Sequence, residues 1–141
     1  MKKILLSIVL LFGIFALSSC GEKISGDEIK NPDADFIFYH WKTCPHCVEL
    51  DKVLVEKDIY SKNILAKKEV WYNHANQAEF TALTTKLGLA PEDVWVPFLY
   101  VKSTQKHYIG QGNIVPILEA AVAKLWTTPV EKETSSQTID Q

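Results

Sequence analysis

Two thiols, Cys44 and Cys47, bracket Pro45 and His46 in the run Cys44-Pro45-His46-Cys47. Three-residue spacing at the start of a helix puts both sulfurs on one side of the first turn, with Cα atoms about 5 Å apart. That falls inside the roughly 4.4–6.8 Å window of a disulfide, so a reversible Cys44–Cys47 bond can open and close with little backbone movement. Pro45 suits the first helical position, where its fixed φ is already helical and its missing N–H leaves no extra orphan. Cys44 at the helix N-terminus meets unpaired amides and the positive end of the macrodipole, which favour its thiolate and are expected to lower its pKa. It is the expected nucleophile. Cys47, a turn deeper on the apolar side, is the expected resolving thiol, and His46 adds a polar, ionisable group beside the thiolate. No organic cofactor is implied, because the exchanged electrons reside in the sulfurs.

The same spacing also occurs in zinc sites, which need two further ligands. There is no second cysteine pair, and His40, His46, His74 and His107 lack the spacing of a finger, so no metal site is assigned. Thiolates with imidazoles also suit Cu(I), which makes an extracytoplasmic metallochaperone an alternative, with His40 and His107 completing the site. A non-catalytic interaction domain with inert thiols is the third reading.

The elements that must position this pair follow from pattern. Phe36-Ile37-Phe38-Tyr39 is an aromatic and β-branched run expected to form a buried strand leading into Cys44. After Pro45, Cys47, Leu50 and Leu54 recur at helical steps. Val70-Trp71-Tyr72 is expected as a second strand, and Asn76 as the cap of a helix that Gly88 ends. Phe98–Val101 and His107–Ile109 follow as strands, and Asn113 opens a last helix with Pro116 in its first turn. The expected order is β-α-β-α-β-β-α. Phe36, Phe38, Trp71, Tyr72 and Phe80 are assigned to the core, whereas Trp41, Trp95 and Phe98 flank the loops at the cysteines and at Pro97 and are expected as an apolar rim for unfolded or extended polypeptide.

At this point the chain resembles the thioredoxin superfamily, over essentially the whole of residues 35–126, and Pro45-His46 is similar to the dipeptide of its DsbA-type periplasmic oxidants. The resemblance implies an α/β thioredoxin-like fold, a central mixed β-sheet flanked by helices. It implies a thiol:disulfide oxidoreductase that exchanges disulfides with protein substrates and is recycled by a redox partner. It also implies that Val96-Pro97 is the cis-proline loop facing the cysteines, so Val96 and Pro97, with Trp41, are the substrate-binding residues. Two departures stand out. The superfamily's buried carboxylate, six residues before the first cysteine, is replaced by Phe38, leaving Glu69 or His40 as substitutes. Thr43 stands where thioredoxin has Trp.

Lys2 and Lys3 precede the apolar run Ile4–Leu17, which is shorter than the about 20 residues needed to span a bilayer and has the profile of a signal peptide. Leu17-Ser18-Ser19-Cys20 resembles the lipobox of bacterial lipoproteins, which implies lipidation of Cys20 and a membrane anchor outside the cytoplasm, in the periplasm or at the cell surface. The polar stretch 20–34 is expected to be a tether and residues 127–141 a loose tail, leaving 1–19 as the leader and 35–126 as the domain.

The length of 141 residues allows one ordinary domain. The chain has no arginine and a formal net charge of −2, which excludes a broad cationic surface for nucleic acid.

Overall fold

A computed structural model describes residues 28–127. Its seven main elements are β1 (Phe36–His40), α1 (Pro45–Glu56), β2 (Leu65–Glu69), α2 (His74–Lys86), β3 (Phe98–Val101), β4 (Lys106–Ile109) and α3 (Gln111–Thr127), with short 3-10 turns at Tyr60–Lys62 and Pro91–Asp93. The four strands form one mixed sheet in the order β2-β1-β3-β4. β1 and β2 are parallel, β3 is antiparallel to β1, and β4 to β3. Helices cover both faces in a thioredoxin-like arrangement.

The parallel pair and its crossover explain why the cysteines lie where they do. β1 is buried on both sides, so its side chains are apolar in succession rather than alternating. On one face Phe38 and Leu65 pack under Leu50 and Leu54 of α1 and Ile114 and Leu118 of α3. On the other, Tyr39, Val70 and Phe98 pack against Phe80 and Leu83 of α2 and Leu87 just after it. The carboxyl end of β1 is thereby fixed between two cores, and the chain turns there through Trp41–Thr43 into α1.

β2 corrects the sequence reading. The second strand is Leu65–Glu69, not Val70–Tyr72, and its residues Lys67, Lys68 and Glu69 disguise it. Lys67 and Glu69 are nonetheless buried, because partners elsewhere in the chain satisfy their charges. Trp71 and Tyr72, assigned to the core, stand in the loop after β2 and are more than half exposed.

α2 is capped by Asn73 rather than Asn76: the Asn73 side chain accepts from the amides of Ala75 and Asn76. It ends at Gly88, whose φ of +70° permits the left-handed turn that closes Gly88 N–H on Thr85 and Leu89 N–H on Thr84. α3 begins at Gln111, two residues before Asn113, so Pro116 falls past the first turn. Pro116 and Gly112, whose carbonyl loses its helical donor, are both exposed to solvent.

Residues 28–34, read from composition as part of the tether, pack on the domain. Ile29 exchanges two backbone hydrogen bonds of 3.0 Å with Lys67 on the edge of β2, and Ala34 is buried.

Candidate active site

Cys44 occupies the N-cap of α1 in an extended conformation, and Pro45 is the first helical residue. The Cys44 amide donates to the Trp41 carbonyl at 3.0 Å, and its own carbonyl accepts from Val48 at 3.0 Å. On the other side its thiol points at the Val96 carbonyl, 4.0 Å from Sγ. The Val96–Pro97 bond is cis. Cys44, Pro45, His46, Cys47, Val96, Pro97 and Trp41, all expected at the site, therefore converge at one end of the sheet. Pro45 and His46 are exposed, while Cys44 retains 9% exposure and Cys47 only 2%.

Cys47 faces the protein. Burial pushes its thiol well above the ordinary value. The Trp41 amide hydrogen-bonds to it and opposes that shift, while the neighbouring Cys44 and the charge of Asp51 reinforce it.

Below Cys47 lies a polar cluster that the sequence reading did not find. Asp51, one turn further along α1, is buried and pairs with buried Lys67 of β2, Nζ to Oδ1 at 2.6 Å. The Tyr60 hydroxyl donates to the same carboxylate. The signal was available: Cys47, Leu50, Asp51 and Leu54 follow one helical stripe, so a carboxylate there must enter the interior. A buried charge persists only when paired. Asp51 thus places a carboxylate under the cysteines from the helix, where Phe38 of β1 offers none.

The two expected substitutes divide. Glu69 is committed to the β2–α2 loop, accepting from the amides of Trp71, Tyr72 and Asn73 at 3.0, 2.7 and 3.1 Å. His40 belongs to the cluster. It ends β1 on the α1 side of the sheet and is buried, with no hydrogen bond to Nε2. Burial, and next the charge of Lys67, lower its pKa to about 4, against the opposing pull of Asp51 and Glu69. The imidazole is therefore neutral at neutral pH.

Around Cys44 the surface is aromatic. Trp41 stacks on Trp71 with ring centroids 4.5 Å apart and planes at 20°, and the Lys42 ammonium lies 4.5 Å above the Tyr72 ring. Trp95, two residues before Pro97, is 66% exposed. Phe98, assigned to this rim, is fully buried in the core instead.

The imidazoles proposed for a copper site do not meet. His40 faces α1, whereas His107 stacks on Phe98 on the α2 side, centroids 5.3 Å apart. Among the described residues, no group of three or more His, Cys, Asp or Glu side chains is placed to hold a metal ion. Cys20 and the leader lie outside the described residues, among which no helix is long and apolar enough to cross a membrane. No protein-family model matches the chain, and comparisons with curated proteins and with solved structures found no match.

Proposed function

We propose that this chain is a lipid-anchored, extracytoplasmic thiol:disulfide oxidoreductase of the thioredoxin superfamily, acting on protein substrates through Cys44 and Cys47. The observation that carries the reading is the asymmetry of the pair: Cys44 caps a helix beside the carbonyl of a cis-proline loop, while Cys47 is buried over a paired carboxylate.

In the reducing direction, the Cys44 thiolate attacks one sulfur of a substrate disulfide. A Cys44–substrate bond forms, the substrate S–S bond breaks, and the departing sulfur leaves as a thiolate that takes up a proton. Cys47 then gives up its proton and attacks Cys44; the Cys44–Cys47 disulfide forms and the second substrate sulfur leaves reduced. The protein loses two electrons and the substrate gains them. Run backwards, the same steps oxidise a substrate dithiol. The second step must remove a proton from a thiol whose burial opposes ionisation. Asp51, which is coupled electrostatically to Cys47 and held by Lys67 and Tyr60, is the group that receives it. The Val96 backbone and Pro97 hold the substrate strand across Cys44.

Mass spectrometry of the purified chain with Cys47→Ser tests this. Incubation with a disulfide-containing protein should accumulate a mixed disulfide on Cys44, and the parent chain should instead close its own ring. Two thiols that are alkylated at equal rates and never pair under oxidised glutathione would end the proposal. The reduction potential assigns direction: near about −120 mV for an oxidant and about −270 mV for a reductant.

A further inference from the structure

Cys44 lies between two loops of different chemistry. On one side, successive residues of the β1–α1 loop meet successive residues of the β2–α2 loop: Trp41 stacks on Trp71, and the Lys42 ammonium lies 4.5 Å above the Tyr72 ring. Both loops are held from behind. The turn that carries Lys42 is closed by the Cys44 amide on the Trp41 carbonyl at 3.0 Å, and the Trp71 and Tyr72 amides donate to the Glu69 carboxylate at 3.0 and 2.7 Å. On the other side of the sulfur stand Val96, Pro97 and exposed Trp95, preceded by the carboxylates Glu92 and Asp93 of the second 3-10 turn.

The charge of Lys42 is not neutralised by a neighbour. Lys57, Lys62, Lys67 and Lys68 each have a carboxylate within ion-pair distance, whereas among the described residues Lys42 has none. Glu69, the acid of the facing loop, is buried and turned toward the amides of residues 71–73. The outer face of this loop pair is therefore an exposed indole, an exposed phenol and an ammonium with no acid in front of it. An ammonium carries three donors, and a ring covers only one side of it, so it can still take a carboxylate. The ring also fixes where the ammonium stands, which reduces the side-chain entropy lost when a partner binds.

We propose that Lys42 and Tyr72 select the substrate, favouring polypeptides with an acidic residue beside the reacting cysteine. On the thiol:disulfide exchange reading above, on which this inference rests, a segment that reaches Cys44 across Val96 brings one flank of its cysteine over Lys42 and Tyr72. A carboxylate there gains an ion pair, and a lysine meets like charge. The other flank lies on the side of Glu92 and Asp93, so the selection acts on one flank only. It also runs against the charge of the chain as a whole, which is −2 and by itself attracts basic substrates.

Short peptides whose single cysteine is a disulfide with mercaptoethanol test this, with Glu, Gln or Lys placed in turn before or after the cysteine. Closure of the Cys44–Cys47 ring in the reduced full chain is followed by mass spectrometry, and each rate is divided by that of the same peptide with free mercaptoethanol, which removes the effect of the flanking charge on the disulfide itself. On one flank Glu should react about threefold to fivefold faster than Gln, the worth of an ion pair at an exposed rim, and Lys slower than Gln. The advantage should shrink at about 1 M salt, where screening acts within about 3 Å. Lys42→Gln should erase the preference and Lys42→Glu reverse it. Lys106→Gln changes the net charge equally at the opposite end of the sheet, where Lys106 pairs with Val101 and Val101 with Phe36, and should keep it. Tyr72→Leu leaves the charge but releases the ammonium, and should lose part of it. Equal rates on both flanks, a preference that Lys42→Gln leaves intact, or one that Lys106→Gln removes as well, overturns the proposal; a full preference in Tyr72→Leu overturns the part given to the ring. A chain that closes its ring with no peptide and not with oxidised glutathione refutes the redox reading instead.

Discussion

Replacing His40 by Gln isolates the linkage between acid and stability at the buried cluster. His40 is faced by Lys67 and Glu69 from β2 and by Asp51 from α1, with Phe38 5.5 Å away on its own strand. Folding lowers its pKa from 6.5 to about 4, so between those values the unfolded chain binds the proton and the folded chain does not. The stabilisation is fully present above pH 6.5 and is lost as pH falls through about 4. At about 1.4 kcal/mol for each tenfold change in proton activity, the whole interval is worth roughly 3 kcal/mol. Urea unfolding of the reduced chain at several pH values from 7.5 to 4 would measure it. The parent chain should lose about that much more stability than His40→Gln over the interval, since other groups titrate equally in both. Parallel curves for the two chains would show that the imidazole is not held neutral by its surroundings, and the account of the cluster would fail with it.

Three other outcomes follow from the same geometry. Asp51→Asn leaves Lys67 buried without its counter-charge and should cost about 3–5 kcal/mol in urea unfolding, whereas Asp51→Leu with Lys67→Met should recover most of it; equal losses would mean that the pair is not desolvated. Iodoacetamide should alkylate Cys44 well ahead of Cys47, which burial both shields and keeps protonated; peptide mapping at partial modification reads the order. Asn73→Ala removes the α2 cap and a donor to Glu28, so about 1 kcal/mol of stability should go with it, together with faster amide exchange at Ile29.

What could be read from sequence was whatever depended on neighbours along the chain. β1, the start of α1 at Pro45, β3 and the apolar stripe of α3 carry their own periodicity, and the cysteine spacing declares its chemistry. β2 could not be read in this way. Lys67 is tolerable inside a sheet only because Asp51 comes down from α1, and Glu69 only because three amides of the next loop turn back to it. A strand five residues later would put Trp71 and Tyr72 in the core, whereas they pack on Trp41 and Lys42 of the loop that leads to Cys44. Phe38 leaves this end of β1 without a carboxylate, and the buried one near the cysteines, Asp51, comes from the helix that bears them and is recognised only through its pairing with Lys67. The cis geometry at Val96–Pro97 followed from resemblance alone, because nothing local distinguishes that proline from Pro91.

The pairing of Ile29 with Lys67 bears on how copies of the chain would meet if they are anchored as proposed. β2 is an outer strand of the sheet, and an outer strand with unsatisfied amides is a template on which another chain can assemble. Lipid anchoring would confine many copies to two dimensions and bring such templates into frequent collision. By pairing Ile29 with Lys67 at mid-strand, the chain occupies the centre of that edge itself, which under the proposed anchoring would let neighbours diffuse past without zipping together.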